Sequence, residues 1–114
     1  IHNDMKNLII KGHLSIENSN GHLMGSGKKE LLEKIKETGS IKAAATEMQI
    51  SYRHAWEMIK KMNAISAVPL VIKNTGGSSG GGSIVTKEGE ELIACYIKLN
   101  AAFEDFKKQI CKTI

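Results

Sequence analysis

Apolar and polar positions change period several times along the chain, and each change marks an element. Between residues 6 and 17, Leu8, Ile10, Leu14 and Ile16 share one parity while polar Lys11 and Ser15 share the other. A period of two is that of a strand with one buried face, here interrupted at Gly12. Asn18-Ser19-Asn20-Gly21 follows, a turn composed of residues that tolerate positive φ, and Gly21-His22-Leu23-Met24 is the return arm of a hairpin. After Gly25-Ser26-Gly27 the period becomes helical. Leu31, Leu32 and Ile35 mark one face of a helix over residues 28–38, and Gly39 is its stop signal.

Ser40 stands as the N-cap of a second helix, its hydroxyl placed to accept from the amide of Ala43 or a neighbour. Ile41, Ala44, Ala45 and Met48 recur at helical spacing, and the low bulk of Ala43-Ala44-Ala45 lets another helix approach closely. Gln49-Ile50 ends that helix and Ser51 caps a third, from Tyr52 to about Ile65, with Ala55, Ile59 and Met62 on one side and Trp56 on its flank. So short a connection is that of a helix-turn-helix. Trp56 and Ala55 are both assigned to the core. Pro69 then excludes further helix, and Val68 to Ile72 is short, β-branched and extended. Residues 76–83, Gly-Gly-Ser-Ser-Gly-Gly-Gly-Ser, read alone as a linker, but β-prone segments flank them and Ser83-Ile84-Val85-Thr86 is predicted to pair with the first as a wing. No Gly-Lys-Ser/Thr follows, so this is not a phosphate-binding nucleotide loop.

From Lys87 to about Thr113 the pattern is one long helix, with Thr86 and Glu88 at its start. Leu92, Tyr96, Leu99, Phe103, Phe106 and Ile110 alternate spacings of four and three, a seam that holds both phenylalanines of the chain. Such a stripe predicts a homodimer through this helix. The fold class is therefore α+β, mainly α: a winged helix-turn-helix with an N-terminal β-hairpin, over residues 1–86, and a long C-terminal dimerisation helix, over residues 87–114.

Composition narrows the function. At 114 residues, 41% hydrophobic and 25% charged, the chain is one ordinary domain. It holds no apolar run of the roughly 18 residues that a membrane span needs and no secretory signal, so no membrane partner and a cytoplasmic location are expected. Cys95 and Cys111 fall on the same predicted helix, out of disulfide reach, and with His2, His13, His22 and His54 they form no metal-ligand spacing. No nucleophile–base or carboxylate constellation appears. An enzyme, a metal site and a cofactor are not expected. The net charge of +4 is uneven: within residues 51–75, Arg53, Lys60, Lys61 and Lys73 face only Glu57, an electrostatic footprint for a polyanion.

Glu37-Thr38-Gly39-Ser40-Ile41-Lys42-Ala43-Ala44-Ala45, Ile50-Ser51-Tyr52-Arg53-His54-Ala55-Trp56, Met62-Asn63, Pro69-Leu70-Val71 and Thr75-Gly76-Gly77 through Gly80-Gly81-Gly82, with Thr86 and Gly89, closely resemble the N-terminal domain of the ModE family of molybdate-responsive transcription regulators. The resemblance spans almost the whole chain, and LysR-type regulators are similar more distantly. It implies sequence-specific binding of double-stranded DNA, with a recognition helix over about 51–65 in the major groove and the Gly-rich wing, 74–83, at the backbone or minor groove. The implied DNA-binding residues are Ser40, Lys42, Ser51, Tyr52, Arg53, His54, Lys60, Lys73, Thr75, Gly76 and Gly77. Of these Arg53 is suited to bidentate contact with guanine, and Ser51 with the helix amides to a phosphate. The wing departs from the family in having Ser78 and Ser79 where many members carry a basic residue. ModE proteins bind their oxyanion in separate C-terminal domains, so molybdate is not expected to bind this chain. The alternative is a winged-helix protein-interaction module that assembles through its last helix without specific DNA binding. A duplex affinity that falls with salt separates the two.

Overall fold

The computed structural model describes residues 7–74 and 82–113. Strands β1 (Ile16–Asn18) and β2 (Gly21–Met24) form an antiparallel hairpin, followed by helices α1 (Ser26–Thr38), α2 (Ile41–Glu47) and α3 (Tyr52–Ser66). Strands β3 (Val71–Asn74) and β4 (Gly82–Val85) pair antiparallel as the wing, and α4 (Lys87–Cys111) follows. Among the described residues no helix is long and apolar enough to cross a membrane.

Local chemistry accounts for the boundaries. The Ser40 hydroxyl accepts from the Ala43 amide at 3.0 Å, and the Ser51 hydroxyl from the His54 amide, also at 3.0 Å. Thr86 caps α4 in the same way through Gly89 N–H. Each bond satisfies an orphan donor of the first turn, worth about 1 kcal/mol. Gly39 closes α1 in the left-handed region, at φ 70°, its N–H donating to the Ile35 carbonyl. The turn between α2 and α3 uses a left-handed Gln49.

The core lies where the helices meet the wing. Leu31, Leu32 and Ile35 of α1, Ala44 and Ala45 of α2, and Ala55, Ile59 and Met62 of α3 form it together with Met24 of β2, Leu70, Val71, Val85, Ile93 and Tyr96. The two alanines of α2 do what low bulk permits, carrying α2 against both α1 and α3. The hairpin is stitched to the far end of α3, since the side-chain amides of Asn18 and Asn20 both donate to the Ile65 carbonyl, at 2.8 and 3.3 Å.

Three expectations change. The predicted strand over residues 6–17 is a strand only from Ile16, because among the described residues no second strand lies beside its earlier part. Side chains of α4 hydrogen-bond that segment instead: Tyr96 Oη donates to the Leu14 carbonyl, Lys107 Nζ to Gly12 and Cys111 Sγ to Leu8. The first helix begins at Ser26 rather than Lys28, after an extended Gly25. The first wing strand runs over Val71–Asn74 rather than 68–72: Ala67 is left-handed, and the Pro69 and Leu70 carbonyls are taken by the Thr86 hydroxyl and amide before pairing with β4 begins.

Candidate nucleic-acid interface

Helix α3 exposes a continuous face at its N-terminal end. Its buried side is Ala55, Ile59 and Met62, so at 100° per residue Tyr52, Trp56 and Lys60 form one flank and Arg53 and Glu57 the outermost row. The Arg53 side chain is 89% exposed. Its Nε lies 3.3 Å from Glu57 Oε1, whereas its two terminal nitrogens have no hydrogen bond among the described residues. The ion pair, one turn apart on an exposed face, adds little stability, but it orients the guanidinium with its outer edge toward solvent. Tyr52 is half exposed, and His54 is exposed.

Trp56 is the main correction at this surface. Expected in the core, it is 40% exposed and lines a cleft between α3 and the wing, with Lys60 Nζ 5.9 Å from its ring centroid. Its position on the flank of α3 leaves the core side to the smaller Ala55, Ile59 and Met62, which are buried. The cleft, of about 670 Å³, brings together Ser40 and Lys42 at the start of α2, Tyr52, Trp56 and Lys60 of α3, and Ile72 and Lys73 of β3. Among the described residues no carboxylate lines it. Three lysines thus surround an apolar floor, an arrangement that attracts phosphates and accommodates apolar groups between them. Ser40 and Ser51, also expected at the interface, have their hydroxyl oxygens engaged as helix caps. Thr75, Gly76 and Gly77 lie outside the described residues.

A residue with no periodic signal holds the wing to this helix. Asn63 Oδ1 accepts from the Leu70 amide at 2.8 Å and from Val71 at 3.3 Å, while its Nδ2 donates to the Val71 carbonyl at 3.0 Å. The sequence shows Met62-Asn63 as a pair but not the strand that the asparagine meets. Asn63→Ala leaves the amide of buried Leu70 without a partner and is expected to cost about 1–3 kcal/mol, read by thermal unfolding and by faster exchange at that amide. Asn63→Asp, which retains the acceptor, should cost less. Where the hairpin meets α1, Lys28 Nζ donates to the His22 carbonyl at 2.7 Å, and burial, reinforced by Lys61 of α3, holds its pKa below the usual lysine value.

The expected seam on α4 is divided. Tyr96 is buried in the core of its own chain, and the Phe103 ring packs on Gly12, where a Cβ would lie 3.4 Å from it. Leu92 and Ile110 are half-buried, while Leu99 and Phe106 remain 45% and 56% exposed. Cys95 and Ala102 are exposed on the same side of the helix, so an open stripe persists, rotated from the predicted one by the chain segment that covers Tyr96 and Phe103.

Comparison with known proteins locates this architecture. The family described as bacterial regulatory helix-turn-helix protein, lysR family, matches residues 28–90. Molybdenum-pterin-binding protein MopB of Rhodobacter capsulatus is 44% identical over 81 residues, which are 71% of this chain and 30% of that protein. Transcriptional regulator ModE of Haemophilus influenzae is 44% identical over 66 residues, 58% of this chain and 26% of that one. This chain therefore spans about a third or less of the length of those relatives. The fold is that of the BenM DNA-binding domain solved with benA site 1 DNA, with a TM-score of 0.56 at 16% identity over 80% of this chain and 100% of that one. The matched residues run from α1 through the helix-turn-helix and the wing into the first turn of α4, and the chain belongs to the lysR family of bacterial regulatory helix-turn-helix proteins.

Proposed function

We propose that this chain is the DNA-binding portion of a ModE-type transcription regulator, acting in the cytoplasm on double-stranded DNA as a homodimer. The observation that carries the reading is the exposed guanidinium of Arg53 beside a lysine-rimmed cleft. Arg53 reads a base edge in the major groove, a bidentate contact worth about 1–3 kcal/mol of discrimination. Tyr52 and His54 flank it. Lys42, Lys60 and Lys73 neutralise phosphates, which fixes position without conveying sequence. Residues 87–114 supply the dimerisation helix, and two-fold symmetry then demands paired half-sites in the operator.

Selection of bound duplexes from a random pool tests this directly, because it reports binding, palindromy and spacing together. Arg53→Ala is expected to weaken the selected site more than random duplex. Lys73→Ala should weaken both alike and shallow the salt dependence by about one charge. Specificity unchanged in Arg53→Ala would remove α3 from the recognition role, and an affinity indifferent to salt would favour the protein-interaction module. Molybdate is not a ligand of this chain in the same reading. A tetrahedral dianion needs converging donors in a shielded pocket, and the cleft is bordered by exposed Tyr52, Lys60 and Lys73. Calorimetric titration with molybdate should show no tight, saturable heat.

A further inference from the structure

The cleft between α3 and the wing has a shape that the positions of its two walls explain. If α3 occupies the major groove and the wing meets the adjacent minor groove, the sugar-phosphate strand that separates those grooves passes between them. A DNA strand alternates a charged phosphate with a deoxyribose whose C2′ side is apolar. The cleft has the complementary pattern. Trp56 on one wall and Ile72 on the other are 40% and 45% exposed, Lys60 and Lys73 stand beside them on the same two elements, and Lys42 lies at the start of α2.

We infer that Trp56 and Ile72 form a seat for one deoxyribose ring of the bound strand, with Lys60 and Lys73 holding its flanking phosphates, so that the cleft selects the DNA sugar over ribose. The inference rests on the DNA-binding reading above and names a determinant that the reading lacks. Between an indole and an aliphatic side chain a 2′-hydroxyl is taken from water without a partner, which opposes binding. The contact is independent of base identity and of charge, so Trp56 differs from Arg53 in conveying no sequence and from Lys60 in leaving the salt dependence unchanged.

The experiment uses the duplex obtained by selection, with a single 2′-hydroxyl placed at each nucleotide of one half-site in turn and affinity measured by fluorescence anisotropy. The wild-type chain is expected to weaken by about fivefold to tenfold at one or two adjacent nucleotides, the range of a single unsatisfied hydroxyl. Trp56→Ala should bind the all-deoxy duplex about tenfold more weakly, on selected and random sequences alike, and lose that localised penalty. Trp56→Phe, which keeps an apolar ring, should retain it. Trp56 is the sole tryptophan, so its emission should also shift to the blue on duplex binding. A flat ribose profile in the wild type, or a penalty that persists in Trp56→Ala, overturns the sugar seat while leaving DNA binding intact. Absence of duplex binding altogether overturns the DNA-binding reading itself.

Discussion

Replacing Leu99 and Phe106 together by glutamate is expected to leave the chain folded but monomeric. Both side chains are about half exposed on α4, with Ala102 exposed between them and Cys95 exposed one turn before Leu99, and neither belongs to the core. The substitutions therefore leave the packing of the domain alone. In a two-fold assembly each glutamate appears twice in the seam, and each charge buried there without a partner costs several kcal/mol. Sedimentation should report half the wild-type mass. Affinity for a two-half-site duplex should fall by roughly 10²-fold or more as the second half-site ceases to be an intramolecular partner, with affinity for a single half-site retained. An unchanged mass would refute dimerisation through this stripe. Tyr96 is unsuited to the same experiment: it is 3% exposed and its hydroxyl donates to the Leu14 carbonyl, so its replacement would unfold the domain rather than dissociate a dimer.

Gly89→Ala should be the most destabilising small substitution in the chain. Gly89 is buried in the first turn of α4, where a Cβ would stand 2.5 Å from the Leu70 carbonyl oxygen and 2.7 Å from Val85 Cγ1. Neither neighbour is the end of a flexible side chain. The Leu70 oxygen is fixed by the Thr86 amide at 2.9 Å, and Val85 is paired with Val71 across the wing. Relief requires α4 to move away from the wing, opening the core at Leu70 and Ile93. A loss of about 3 kcal/mol or more is expected, which is a fall of roughly 10–20 °C in Tm for a domain of this size. Gly27→Ala is the matched control: a Cβ there meets nothing within 4 Å, and in helix α1 it should stabilise by up to about 1 kcal/mol. Loss of stability at both positions alike would show that the close approach at Gly89 is not the cause.

Residue order alone specified those features that local physics governs. Hydroxyl caps at Ser40 and Ser51, a helix stop at Gly39, a turn at Asn18-Ser19-Asn20-Gly21 and the helical period of Ala55, Ile59 and Met62 involve neighbours a few positions apart. They are legible without any knowledge of the fold, as is the concentration of positive charge in residues 51–75. Which face of each element is covered, and by what, was settled only by packing in three dimensions. Helical spacing grouped Tyr96 and Phe103 with Leu99 and Phe106, but an extended segment near the start of the chain covers the first pair and leaves the second open. Size and hydrophobicity put Trp56 in the core, whereas the smaller Ala55, Ile59 and Met62 are buried there and the indole lines the cleft. Asn63 and Gly89 gave no periodic signal, because what defines them is the approach of a strand to a helix, at Leu70 and Val71 for one and at Leu70 and Val85 for the other. A period identifies residues that share a face, while the partner of that face is set by close packing among segments distant in the chain, and it is there that the cleft beside Arg53 was made.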